Sequence, residues 1–136
     1  MCATFQYKKQ IFKPGEEVGA VGVSGIVRQP WAGFARVEII NWWQRQGGVL
    51  LDIYADRFAE RSDKTGQLIW EAVPRDFVIR GLLDGKTGQT CIKIVTRAST
   101  EEEFIHFQHP RMPLFDEPLF EPVEINFPVS PQTELF

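Results

Sequence analysis

The sequence predicts an α+β domain, mainly antiparallel β, with a barrel-like sheet and one or two short helices. Three observations carry this. Val, Ile and aromatic residues gather in short runs, bounded by Gly, Pro and Asp turn signals. Only the stretch near residue 100 opens with a strong helix signature. The 136 residues suffice for one buried core without a disulfide framework or a metal.

The elements follow in order. Residues 3–7 read as a strand, and Pro14-Gly15 marks a turn. Residues 18–27 mix Val and Ile with Gly19, Gly22 and Gly25, which predicts strands with close backbone approach or bulges. Residues 34–40 are β-rich. Residues 41–46 predict a helical turn that Gly47-Gly48 ends. Residues 49–54 are a strong strand candidate, and Lys64-Thr65-Gly66 reads as a hairpin tip. Residues 77–83 and 91–96 form an expected strand pair around Asp84-Gly85-Lys86-Thr87-Gly88. Ser99 and Thr100 precede Glu101, Glu102 and Glu103, so a hydroxyl cap and acidic first turn start a helix.

After Phe115 the composition changes. Pro118, Pro122, Pro128 and Pro131 alternate with acidic side chains, and proline denies backbone donors. Residues 1–115 therefore read as the compact domain. Residues 116–136 read as an acidic, proline-rich tail, docked in part through Leu119, Phe120, Ile125 and Phe127, or disordered.

Charge follows the same division. The chain carries 15 basic and 18 acidic residues, a net of −3. All the basic residues lie before residue 116, and Asp116, Glu117, Glu121, Glu124 and Glu134 lie after Phe115. A strongly basic chain is excluded, while the mildly basic body permits a local phosphate-binding patch. The start is polar and no apolar run approaches the ~18 residues of a membrane span, so the expected location is cytoplasmic, with no membrane partner. Cys91 sits in Cys91-Ile92-Lys93-Ile94-Val95 and reads as an inert core residue.

Cys2 offers different chemistry. Removal of Met1 would leave an α-amine and a thiol on one residue. The amine condenses with an aldehyde to an imine, and the thiolate closes on the same carbon to give a thiazolidine. The second step is intramolecular, with the advantage proximity gives. Proton transfers along this path call for a general acid/base, but not for a cofactor or metal. Local sequence leaves Cys2 open to the plain reading of a second codon.

Several segments, taken in order, resemble the SOS-response-associated peptidase family. Met1-Cys2-Ala3-Thr4 stands for its Met-Cys-Gly-Arg opening. Phe34-Ala35-Arg36-Val37-Glu38 stands for Asn-Ala-Arg-x-Glu. Ala55-Asp56-Arg57-Phe58-Ala59-Glu60-Arg61 stands for Ala-Asp-Gly followed by two aromatics and Glu-Trp. Phe77 to Asp84 resembles a Phe-x-x-Ala-Gly-Leu-Trp strand. Ile94-Val95-Thr96, an acidic helix and His109-Pro110-Arg111-Met112-Pro113 close the series, the last matching His-x-Arg-Met-Pro. The likeness spans roughly residues 2–115 and describes a compact, divergent member.

The resemblance implies an SRAP-like fold and an abasic-site sensor, nucleoid-associated and monomeric. It would cross-link covalently to single-stranded DNA through Cys2 after autopeptidase removal of Met1. It implies Cys2 as nucleophile, Glu60 as general acid/base and His109 as proton relay at the sugar oxygen. Arg36 would contact a phosphate, with Arg28 and Arg111 as further DNA contacts. Trp31 and Trp43 are candidate stacking residues, Trp43 as part of a platform with Trp42 and Arg45, although one of the pair could equally pack in the core. Phe34 replaces the family's active-site Asn and Thr4 its Arg. These changes motivate the alternative of a catalytically divergent adaptor that binds DNA or a sliding clamp. A peptidase acting on other proteins is a third reading. Local sequence alone leaves Glu60 open to being a surface strand-end carboxylate. His106 and His109 share a His-x-x-His spacing without further ligands, so no metal is expected. Gln132-Thr133-Glu134-Leu135-Phe136 resembles the bacterial sliding-clamp pentapeptide, with Gln132, Leu135 and Phe136 as its contacts.

Overall fold

The computed structural model describes residues 2–85 and 90–127. It is mostly antiparallel and mixed β, with two short helices, as the sequence predicts. The strands are β1 (Cys2–Tyr7), β2 (Gln10–Phe12), β3 (Glu17–Gly22), β4 (Gly25–Arg36), β5 (Val49–Ile53), β6 (Arg57–Arg61), β7 (Leu68–Ala72), β8 (Val78–Asp84), β9 (Cys91–Ala98), β10 (Arg111–Pro113) and β11 (Phe115–Asp116). The helices are α1 (Ile40–Arg45) and α2 (Glu101–Phe107). Among the described residues no helix is long and apolar enough to cross a membrane.

One strand closes the barrel. β9 pairs antiparallel with β8, Gly81 opposite Ile94 and Leu83 opposite Ile92. On its other side it pairs parallel with β4, Phe34 opposite Ile94 and Ala35 opposite Val95. From β4 the circuit runs through β3 and β5 back to β8. A strand paired on both edges and buried on both faces must be apolar almost throughout. Ile92, Ile94 and Val95 meet that demand, each fully buried. At Gly81 a Cβ would come within 2.7 Å of Ile53 Cδ1, so any larger residue would have to displace the Ile53 side chain for β8 and β5 to keep this approach.

A second sheet, ordered β2-β1-β6-β7, lies on the barrel. Its Phe5, Phe12 and Phe58 share one core with Trp31, Leu51, Ile79 and Ile94 of the barrel. A smaller cluster of Ala35, Leu82 and Val95 is covered by Ile40 and Trp43 of α1.

The expected β run at 34–40 stops at Arg36. A 3-10 turn over Val37–Ile39 leads directly into α1 instead. α1 ends where Gly47 takes φ +94°, a left-handed conformation that glycine adopts without steric cost. α2 begins as expected, with a full capping box. The Thr100 hydroxyl accepts from the Glu103 amide, and the Glu103 carboxylate accepts from the Thr100 amide. Bidentate pairing with Arg97, at 2.6 and 2.7 Å, holds the Glu103 carboxyl down to about 2.

The first part of the expected tail, residues 116–127, lies along the barrel. Its anchor is a buried ion pair between facing residues of β5 and β8. Arg80 Nη1 donates to Asp52 Oδ1 at 2.5 Å, and both side chains are almost wholly buried. Arg80 also donates to the Leu51 and Glu117 carbonyls. The Asp52 carboxylate accepts from the backbone amides of Leu119 and Phe120, each at 3.0 Å. Farther on, Ile125 is buried and the Phe127 ring lies 4.7 Å from that of Phe12. Gly19 makes this fit, since a Cβ there would meet Phe127 at 2.8 Å. Leu119, expected to dock by its side chain, is 54% exposed, and its backbone makes the attachment instead.

Removing one partner of a buried pair strands the other charge. Asp52→Ala is expected to cost ~3–5 kcal/mol in urea denaturation. The amides of Leu119 and Phe120 should then exchange faster, while those of β9 stay slow. The double change Asp52→Leu/Arg80→Met should recover part of the loss, since no charge is stranded but the strap amides lose their acceptor. A single variant as stable as the wild type would refute this account.

Candidate functional site

The site grows from the register of β1 against β6. Phe5 faces Phe58 and Thr4 faces Ala59. Continued unchanged, that register would set Cys2 opposite Arg61. A shift between Cys2 and Thr4 sets it opposite Glu60 instead. Such bulges re-aim a strand end, and they recur beside functional sites. Thr4, standing where the resembled family has an arginine, is buried here, and its hydroxyl donates to the Phe12 carbonyl at 2.6 Å.

Glu60 is not a surface strand-end residue. It lies inside β6 and is 0% exposed. Burial pushes its carboxyl up to about 7, and the Asp63 charge adds to the rise. A carboxyl in that range populates both acid and base forms at neutral pH.

His109 reaches the same end of β6 by a different route. α2 ends at Gln108, which takes the left-handed conformation. The Asp63 amide donates to the Gln108 carbonyl at 3.1 Å, and the Ser62 hydroxyl donates to the Gln108 side-chain oxygen. The turn after β6 is thereby fastened to the residue before His109. His109 Nδ1 faces the Arg111 backbone, 3.0 Å from its oxygen and 3.2 Å from its amide nitrogen. Either tautomer therefore finds a partner there. Nε2 lies 3.8 Å from the Asp63 carboxylate. Burial lowers the imidazole pKa, which favours the neutral ring at physiological pH. β10, which starts two residues later, approaches β1. His106 stands apart from this arrangement, half exposed and 3.4 Å from Glu71.

The DNA-contact candidates fare differently. Arg36 ends β4 with its side chain exposed. Arg111 is committed instead. Its guanidinium holds Glu38 at 2.6 and 3.0 Å and the Thr96 carbonyl at 2.8 Å. The Arg111 guanidinium holds the Glu38 carboxyl down to about 2. Arg111 is thereby tied to Glu38 and to Thr96 of β9, with its side chain mostly buried. Arg28 is half-buried over the Phe127 ring, 5.2 Å from its centroid. Trp31 cannot stack on a base, because it is 0% exposed, packed on Phe5 and edge-on to Phe34. Trp43 turns into the smaller core, with its indole nitrogen buried and Lys93 over its ring. Trp42 is the member of that pair with an exposed ring, at 46%. Cys91 is buried in β9, as expected. Gln132, Leu135 and Phe136 lie outside the described residues, and so do 86–89 of the β8–β9 connection.

Two site residues were missed from sequence. Asp63 belongs to no motif and only precedes the Lys64-Thr65-Gly66 hairpin tip, yet its charge acts on both Glu60 and His109. Glu38 sits in the Arg-x-Glu motif, but nothing local connects it with Arg111.

The raised Glu60 pKa has a measurable consequence. Its folded value of about 7 exceeds the ordinary 4.5, so the folded state binds this proton more tightly. The associated stability is full below pH 4.5 and is lost as pH rises through 7. Glu60→Gln removes that dependence. Its stability relative to wild type should rise by roughly 3 kcal/mol between pH 4.5 and pH 8 in urea denaturation. A difference that stays flat over this range would contradict the assignment.

Comparison with protein-family models, with curated proteins and with solved structures gives no match to this chain, so any functional reading stands on the residues themselves.

Proposed function

We propose that this protein captures abasic sites in single-stranded DNA by forming a thiazolidine through Cys2 once Met1 has been removed. The observation that carries the reading is the β1–β6 register, which sets Cys2 opposite a fully buried carboxyl with a pKa of about 7. The ordered resemblance to the SOS-response-associated peptidase family supports the same assignment.

The chemistry balances without a co-reactant. Ring opening of the abasic deoxyribose exposes an aldehyde at C1′. The Cys2 amine adds to that carbon, and the carbinolamine loses one water to give an imine. The thiol then adds across the imine, its sulfur bonding to C1′ and its proton passing to nitrogen. Glu60 in its acid form gives the proton that lets water leave, takes back the one that nitrogen sheds as the imine forms, and relays the thiol proton to nitrogen when the thiol adds. Neutral His109 returns and removes the proton at the sugar oxygen during opening and closure. Asp63 orients the imidazole, and Arg36 takes a flanking phosphate.

A denaturing gel of purified protein with an abasic single-stranded oligonucleotide tests this. The wild type should give a slow-migrating adduct and Cys2→Ala none. Glu60→Gln should slow adduct formation by ~10²-fold or more. An equal band from Cys2→Ala, or an intact mass that retains Met1, would sink the proposal.

A second contact belongs to the same reading. Gln132, Leu135 and Phe136 are proposed to bind a bacterial sliding clamp as a short extended peptide whose Leu-Phe pair fills an apolar pocket. Binding to immobilised clamp in surface plasmon resonance should be lost in Leu135→Ala/Phe136→Ala, while cross-linking of free oligonucleotide stays unchanged. Retained clamp binding would remove this part.

A further inference from the structure

A groove of about 410 Å³ runs between α2 and the turn that joins β6 to β7, lined by Asp63, Lys64, Phe104, Ile105 and Gln108. We infer that it seats the nucleobase next to the abasic residue, stacked on Phe104; this rests on the cross-linking reading above. The groove uses none of the residues assigned to the chemistry except Asp63, which borders both.

α2 is fastened on every side but this one. Its capping box and the Arg97–Glu103 pair fix its start. Phe107 is buried against Phe58, and His106 faces Glu71. The Gln108 side-chain oxygen accepts from Ser62. Yet Phe104 is 53% exposed and Ile105 69%, and neither joins either hydrophobic cluster. Two large apolar side chains held rigidly in water on a well-anchored helix form a pre-organised surface.

Position and size indicate the occupant. The Asp63 carboxylate reaches 3.8 Å from His109 Nε2, and Gln108 directly precedes His109, so the groove opens beside the proposed reaction centre. A strand whose abasic sugar lies at Cys2 and His109 carries its next base into the adjoining space. One aromatic ring with one aliphatic neighbour suits a single planar base, whereas an amphipathic peptide helix would need a longer apolar row. Asp63 and Gln108 supply polar groups for the base edge, and Lys64 adds a positive charge for the phosphate. Aromatic stacking tolerates any base, as recognition of a site with no base of its own requires.

The test uses two readouts on the full chain. Cross-linking rates are measured with oligonucleotides whose abasic residue is flanked, on each side in turn, by a normal nucleotide or by a base-less tetrahydrofuran residue. Fluorescence anisotropy follows binding of the same oligonucleotides with unreactive tetrahydrofuran at the abasic position. Removing the flanking base on one side should weaken wild-type binding and slow cross-linking about tenfold. Phe104→Ala should lose a similar factor on the base-bearing strand and nothing further on the base-less one. Phe104→Tyr should behave as wild type. Equal losses for Phe104→Ala on both strands, or none on either, would overturn the inference. If no adduct forms with any strand, the cross-linking reading fails, and the anisotropy still decides the groove. Binding indifferent to the flanking base refutes it.

Discussion

The Asp52–Arg80 pair is the constraint on which much of the architecture depends. The two residues face each other across β5 and β8 in the barrel wall, and both are buried. An isolated charge at either position would be expelled or neutralised. Together they use their remaining hydrogen-bonding capacity on backbone. Arg80 reaches the carbonyls of Leu51 and Glu117, and Asp52 accepts from the amides of Leu119 and Phe120. A proline-interrupted segment cannot satisfy its own amides by forming a helix or strand. The pair does this for it, and so converts what composition marks as tail into a strap along the barrel. Ile125 and Phe127 can then cover Gly19 and Phe12, which helps to seal the core shared by the two sheets.

That seal matters at the other end of β1. Its register with β6 is fixed by Phe5 against Phe58, both buried in the common core. The shift between Cys2 and Thr4 is tolerated because Thr4 keeps its hydroxyl bonded to Phe12. The result sets Glu60 under opposing demands. Stability favours a neutral side chain inside β6, whereas general acid/base chemistry needs a carboxyl that also ionises. A pKa of about 7 is the compromise, and burial is its main cause.

Legibility in the sequence followed distance along the chain. Several strands, the turn at Gly47 and the α2 cap depend on neighbouring residues and could be read directly, whereas the short β2, β10 and β11 carried no such signal. The burial of Glu60 had a local signal as well, because the two-residue strand period puts it on the face of Phe58. Its place near the end of an apolar run nonetheless left it open to being a surface strand-end carboxylate. Trp31 was expected to stack on a base because the resemblance placed it at an aromatic position, and nothing local shows which face of β4 it takes. β4 passes through Pro30: the adjacent Trp31 amide bonds the Glu16 carbonyl, and the Trp31 carbonyl accepts from Gly15. The indole is buried against Phe5 and Phe34. Barrel closure was only partly legible, since the β4–β9 pairing joins segments far apart in the chain. Arg111 with Glu38, and Asp52 with Arg80, could not be paired from sequence at all.

The Arg111–Glu38 contact changes what the motif resemblance means. In sequence, Arg36-Val37-Glu38 and His109-Pro110-Arg111 are separate signatures, each readable as a set of ligand contacts. In the fold, the second residue type of each is spent on the other. Glu38 and Arg111 form a bidentate pair, and Arg111 also grips Thr96. The tie leaves the first residue of each motif outside the pair, Arg36 exposed and His109 partly buried. The arginine in the His-x-Arg segment thus serves geometry: it fixes the backbone that His109 Nδ1 faces, and with it the direction in which Nε2 points. Phe34 fits the same division. It replaces an amide of the resembled family with a ring that packs edge-on against Trp31, adding to the core beneath the site. Asp63, whose charge bears on both Glu60 and His109, is the acidic group at that end of β6.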